Sequence, residues 1–364
     1  MSRKGAGDGP RLVVQAWLGS RLVLVLVAVW VMLTMNRSVA DVAANWDVQH
    51  FLRIAREGYP ERKETAFFPG LPLLLRASGW LGADPVVVGV LLSLVASAFA
   101  AWGLYRLGGP RAGVVAAAAW LVAPTTVFTV VPYTESLFCG FAFWAWVKAK
   151  DDRWGQAALL AAGACCFRVS GLFLLAGLGV LALTTPGRRW RRLEWLLLPA
   201  LVPAGYAFYL RLRYGSWTTW YAAQAEGWSR GLTWPWESIA HTIPAVLPGA
   251  YADHPGWAWV FRAEMVSLLV GLVTTVACLL RRRWGEATWV GVQVLAFTTS
   301  YWLMSVNRAV LLWFPLWLLL GEWATSGTGL SRGGRRTVAV GAAVLSVLVM
   351  IWWAQLFYTG AWAS

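Results

Sequence analysis

Charge is what this chain has little of. Only 13% of its 364 residues are charged, against 59% that are hydrophobic. A soluble domain of this length carries roughly a quarter charged residues, so a water-soluble globular fold is excluded. Histidine is rarer still: His50, His241 and His254 are too scattered to argue for a metal site. The four cysteines (Cys139, Cys165, Cys166, Cys278) lie in apolar surroundings without zinc-ligand spacing, and read as buried fillers. No P-loop and no GxGxxG occurs, which removes the common nucleotide-binding motifs. A divalent metal is left open, with no clear ligand cluster to hold it. Lysine is almost missing (Lys4, Lys63, Lys148, Lys150), so arginine carries the net charge of +14. That bias, with abundant Ala, Gly, Val and Trp, fits GC-rich bacterial coding.

What is present is oil. Mean hydropathy is +0.57, and stretches long enough to cross a bilayer recur from end to end, the pattern of an all-α polytopic membrane protein. The positive residues sit in short clusters between these stretches, as orienting charge does, rather than in a patch for nucleic acid. Clusters at Ser2–Arg11, Arg106–Arg111, Lys148–Arg153, Arg188–Arg192, Arg281–Arg283 and Arg332–Arg336 are assigned to the cytoplasm. The alternate connections are then external: residues 37–84, "PYTES" near 132–136, "RVSG" at 168–171, residues 213–256 and "SVNR" at 305–308. Apolar segments near 14–36, 85–106, 112–131, 136–149, 155–167, 171–186, 193–212, 257–280, 286–304, 309–324 and 337–358 make about eleven helices in a single domain over residues 1–364. The N-terminus is cytoplasmic in this assignment, in a multi-pass cell membrane. The first segment reads as a retained anchor, although "SVA" at residues 38–40 resembles a cleavage site. The stretch 155–186 is either two short helices meeting at Arg168 or one long tilted helix. The first option is preferred because the second inverts everything downstream.

The external connections hold nearly every carboxylate that is not beside a basic cluster. After the first segment, Asn45 is expected to cap a helix that Gly58 and Pro60 end. Val48, Phe51, Leu52 and Ala55 form an apolar stripe on it, as in an amphipathic helix lying along the membrane interface. Asp47, in its first turn, either complements the helix dipole or serves as a base for an attacking hydroxyl. Glu135 heads an apolar helix and is equally well explained by capping. Arg168 is apolar-flanked on both sides; an intramembrane arginine marks a ligand or a partner such as Glu135 or Asp47. Arg308 snorkels or binds. The run at 221–236 offers Gln224, Trp228 and Arg230, as interface belt or sugar platform. Several arginines on one side suit an anion such as a lipid phosphate.

Taken in order, "WDVQHFLRIAREGY", "AFFPGLPLL", "PYTESLF", "FRVSG", "QAEGWSR" and "NRAVLLWFPL" resemble the PIG-V family, the GPI mannosyltransferase 2-like enzymes of the GT-C superfamily. The likeness runs from residue 46 to about 320, and its first block is the specific part. It implies a GT-C-like bundle and transfer of mannose from polyprenyl-phosphate-mannose to a lipid-linked or cell-envelope glycan on the extracytoplasmic side. Asp47 becomes the candidate catalytic base. His50, Arg53, Tyr59, Tyr133, Glu135, Arg168, Gln224, Trp228, Arg230 and Arg308 become candidates for binding donor phosphate or substrate, with Phe68 and Pro69 completing the first block. One departure is "RVSG", where the eukaryotic members are expected to carry Asn before Gly. The competing reading is a transporter or flippase of a lipid-linked sugar, which would want ionisable residues near the membrane midplane. Here they gather at one face.

Overall fold

The computed structural model describes residues 8–327 and 331–363. The start of the N-terminal basic cluster, residues 2–7, lies outside the described residues. Apolar composition dictates helices, because a buried backbone must satisfy its own N–H and C=O groups. The chain opens with α1 (Asp8–Met35), then the short α2 (Val39–Ala43), α3 (Asp47–Glu57) and α4 (Gly70–Trp80). Next come α5 (Pro85–Gly108), α6 (Val114–Leu121), α7 (Glu135–Lys150), α8 (Trp154–Cys165) and α9 (Ser170–Thr184). The remainder is α10 (Arg189–Trp195), α11 (Leu197–Tyr214), α12 (Thr219–Trp228), α13 (Pro235–Val246), α14 (Pro255–Leu280), α15 (Trp284–Thr298), α16 (Val306–Ala309), α17 (Phe314–Thr325) and α18 (Arg332–Thr359).

Each apolar segment read from the sequence contains a helix. Among the described residues, five spans are long and apolar enough to cross a membrane: Asp8–Met35, Pro85–Leu121, Arg189–Tyr214, Pro255–Leu280 and Gly333–Thr359. The remaining apolar helices are shorter than the ~20 residues a full crossing needs, and several are packed inside. Helix α7 is the clearest case, with Phe138, Phe143 and Trp146 fully buried. Segment 112–131 is α-helical only to Leu121, since Pro124 disfavours helical backbone just before it, and resumes as a short 3-10 turn at Thr126–Thr129. In 155–186, α8 and α9 are two separate helices, and Arg168 lies in the break between them.

Two expectations for the first long connection are corrected. Asn45 does not cap α3. Its Nδ2 donates to the carbonyls of Val42 (3.2 Å) and Phe357 (2.9 Å), tying the connection to the end of α18. Trp46 takes the cap position with φ 56° and ψ −124° and makes no side-chain cap. The stripe on α3 also faces protein rather than a membrane surface: Val48, Phe51, Ile54 and Ala55 are buried, with Ile54 in the place expected for Leu52. Helical periodicity specifies a stripe but not what covers it. Gly58 does end the helix, at φ 81°.

The connection is then pinned across the bundle. The Gly70 amide donates to the Cys166 carbonyl at 2.8 Å, and a Cβ on Gly70 would stand 2.6 Å from that oxygen. Only glycine lets the turn after Pro69 dock into the α8–α9 break. Trp220 Nε1 donates to the Ala66 carbonyl (3.1 Å), and Arg62 pairs with Glu226 (2.9 Å), which brings α12 over the same ground.

Candidate active site

Five elements converge where α3, α7, α9 and α16 begin and α12 ends. Tyr133 precedes α7 and is almost fully buried. Its hydroxyl accepts a hydrogen bond from the Asp47 amide at 3.1 Å, which sets the first turn of α3 against the core. Trp46, just before, holds a backbone conformation that a bulky residue rarely adopts; its Nε1 donates to the Ala361 carbonyl at 3.0 Å. Asp47 is thereby fixed rather than carried on a loose loop.

The guanidinium of Arg308 meets it. Nη1 lies 2.8 Å from Asp47 Oδ2, and Nη2 donates to Ser305 Oγ at 3.3 Å. Asp47 Oδ1 accepts no hydrogen bond from the described residues. Behind the pair, Glu135 is fully buried and shared between two arginines, at 2.7 Å from Arg168 Nη1 and 3.7 Å from Arg308 Nε. Arg168 also donates to Thr134 Oγ1 at 2.8 Å. The cation that sequence allowed to snorkel is thus buried in an ion-pair network, because a buried guanidinium needs carboxylate partners and finds two.

Arg230 completes the group without a bonded carboxylate. It donates to the Met304 carbonyl (2.9 Å) and, weakly, to Gln224 Oε1 (3.4 Å). Burial pushes its pKa down to about 10, and repulsion from Arg308 adds to this. It remains a cation at neutral pH, and an anion would relieve both penalties. Its loop is anchored by an antiparallel bridge between Leu232 and Ser300 and by Thr233 N–H to Thr299 O at 3.1 Å.

Two cavities flank Asp47. One, of about 390 Å³, is lined by Asp47, Thr134, Arg168, Gln224, Arg230 and Arg308, with an apolar wall from Phe173, Leu232, Ala296 and Phe297. The other, of about 580 Å³, is polar and lined by Gln49, His50, Lys63, Glu226 and again Asp47. Trp228 lines both. Among the described residues, no three His, Cys, Asp or Glu side chains converge as metal ligands would.

The residues singled out from sequence divide accordingly. Asp47, Arg168, Gln224, Trp228, Arg230 and Arg308 line the first cavity; Tyr133 and Glu135 stand behind its wall; His50, stacked on Phe67 at 5.2 Å between centroids, faces the second. Arg53 and Tyr59 are not brought to either. Arg53 is taken up by Glu57, Glu61 and Glu64 at 3.4, 2.7 and 3.2 Å. Tyr59 donates to the Phe67 carbonyl at 2.9 Å and lines a separate apolar groove with Phe68 and Pro69.

Glu264 was missed. Fully buried in α14, it accepts from the Ser305 and Asn307 amides at 2.9 and 3.0 Å. It holds the left-handed turn at Ser305 (φ 66°) from which Arg308 is launched. The available signal was a lone acid in an apolar run, "FRAEMVSLLV".

Part of this chain is similar in sequence to known proteins. The family model described as mannosyltransferase (PIG-V) matches residues 20–194, which includes Asp47, Tyr133, Glu135 and Arg168. GPI alpha-1,6-mannosyltransferase 2 of Mus musculus is 36% identical over 147 residues, covering 36% of this chain and 30% of the mouse protein. The Homo sapiens protein of that name is 33% identical over 144 residues, covering 35% and 29%. The chain therefore spans about 30% of the length of these curated relatives. In structure it is similar to ArnT from Cupriavidus metallidurans, solved bound to undecaprenyl phosphate, with a TM-score of 0.50, 16% identity, and coverage of 94% of this chain and 76% of that one. That likeness concerns the fold, an all-α, GT-C-like membrane bundle. Residues 20–194, which carry Asp47, Glu135 and Arg168, are thus similar to the PIG-V mannosyltransferase family.

Proposed function

We propose that the protein is a glycosyltransferase that moves mannose from a polyprenyl-phosphate donor to a glycan or glycolipid acceptor. The observation that carries this is Asp47 standing between an arginine-lined cavity with an apolar wall and a polar cleft. In this reading the prenyl tail lies along Phe173, Ala296 and Phe297. The phosphate meets Arg230 and the faces of Arg168 and Arg308 turned to the cavity. Arginine suits this role, since its fork matches phosphate oxygens and keeps its charge.

The acceptor sugar enters from the polar cleft, past His50, Lys63 and Glu226. Its hydroxyl oxygen attacks the anomeric carbon from the face opposite the phosphate. The proton passes to Asp47 Oδ1, the oxygen that Arg308 leaves open. The bond between anomeric carbon and phosphate oxygen breaks, and its electron pair leaves with the phosphate. The phosphate gains a negative charge in that step, and the preorganised arginines stabilise it as it develops. One displacement inverts the configuration, so a β-linked donor yields an α-mannoside. The site belongs on the extracytoplasmic side and the N-terminus in the cytoplasm, as the basic clusters imply.

The test is transfer from labelled polyprenyl-phosphate-mannose to a membrane glycolipid extract by the purified protein in lipid. Wild type is expected to transfer with inversion, and Asp47→Asn to be inactive while folded. Retention of configuration or a trapped mannosyl-enzyme would overturn the displacement. Movement of the donor across the bilayer without transfer would make the protein a transporter.

A further inference from the structure

At the end of α8 away from Arg168 lies a cavity that the proposed transfer does not use. It occupies about 740 Å³ where α8 begins and α9 gives way to α10. Helix α8 separates it from the α8–α9 break by 12 residues, about 18 Å at 1.5 Å per residue.

Four guanidiniums line it, from Arg153, Arg188, Arg191 and Arg192, against the single carboxylate of Asp152. That carboxylate is already taken: its Oδ1 accepts from Arg192 Nε and from Trp154 Nε1, both at 2.9 Å. Arg192 is framework. It is buried, lies over the Trp154 ring at 5.9 Å, and donates Nη1 to the Thr185 carbonyl at 2.8 Å. It thereby fixes the turn through Gly187, whose φ of 115° a side chain would strain. The side chains of Arg153, Arg188 and Arg191 make no ion pair or hydrogen bond among the described residues. Some nearby and distant cations are instead taken up by carboxylates: Lys150 binds Glu286 at 3.2 Å, and Arg281 and Arg283 both bind Glu322, at 2.8 and 2.7 Å.

Unpaired guanidiniums around a cavity repel one another until an anion enters. The rim tells which kind. Trp195, which lines it, is 44% exposed, and exposed tryptophans favour the headgroup level of a bilayer. A basic pocket among membrane helices at that depth suits a phosphate carried by lipid. We propose that this cavity binds the phosphate headgroup of an anionic bilayer lipid, with Arg188 and Arg191 as its principal ligands.

Full-length protein in nanodiscs of mixed phosphatidylglycerol and phosphatidylcholine, released into detergent and weighed by native mass spectrometry, tests this. Wild type should retain phosphatidylglycerol over phosphatidylcholine, and Arg188→Gln/Arg191→Gln should lower that retention about tenfold. Both arginines are exposed, so the thermal midpoint should hold. The charge-matched double Arg106→Gln/Arg111→Gln should retain lipid as wild type does. Equal loss in both doubles would reduce the effect to general charge, and equal retention of both lipids would remove the site. Displacement of the lipid by millimolar inorganic phosphate would assign the cavity to a soluble phosphate instead.

Discussion

Arg308 and Asp47 are 261 residues apart in sequence and 2.8 Å apart in space. The pair occupies only one carboxylate oxygen, and it fixes where the other stands. Asp47→Asn preserves the shape but lowers basicity, so transfer should fall by at least ~100-fold, the lower range for loss of a general base. Donor binding, followed by isothermal titration, should change far less. A variant that transfers as wild type does would remove Asp47 from the chemistry.

Arg230→Gln removes the cation that has no bonded carboxylate. The prediction is a rise in the donor KM of about tenfold, as for loss of one charge-assisted hydrogen bond, with acceptor KM unchanged. Steady-state kinetics with each substrate varied in turn separates the two. An effect confined to the acceptor would assign Arg230 to the other cavity.

Glu264→Gln replaces an acceptor of two backbone amides with a group that can serve only one. We expect about 2 kcal/mol of local destabilisation at the Ser305 turn, read as a lower thermal midpoint and a fall in kcat with little change in donor KM. Unchanged kcat would show that Arg308 does not depend on this turn for its placement.

Gly70→Ala puts a methyl group 2.6 Å from the Cys166 carbonyl oxygen. Backbone on both sides must shift, at a cost of about 1–3 kcal/mol. The thermal midpoint should drop and transfer should fall with it, because the same contact positions the break that carries Arg168.

The exposed clasp beside the site should be acid-sensitive. Glu61 is held below its ordinary pKa of 4.5 by Lys63 and Arg53. A lowered carboxylate stabilises the folded state fully above its ordinary value, and that contribution is lost as pH falls through the lowered one. A nitroxide at Pro60→Cys should therefore gain mobility only below pH 4.5, and Glu61→Gln should remove that transition.

The parts of this architecture that the sequence made legible are those where charge interrupts oil. Arg168 and Arg308 were conspicuous for that reason, and so was the interruption between α8 and α9. What covered a stripe or completed a pair was not legible, because those contacts join distant segments. The α3 stripe therefore pointed to a membrane surface when the core covers it. Arg53 looked available until three nearby acids claimed it. Asn45 had the chemistry of a cap, but the end of α18 offered it a carbonyl. Glu264 was visible as a lone acid, yet its targets, two amides about forty residues on, were not.

The break between α8 and α9 has a consequence for depth. Twelve and fifteen residues give rods of about 18 and 22 Å, against a hydrocarbon layer of about 30 Å. Neither rod alone matches that thickness, so Arg168, at their junction, stands no more than about 22 Å from the far end of either. For the proposed transfer this means that a lipid carrying its sugar on a phosphate need not be hauled up into water to react: the floor is lowered to the lipid.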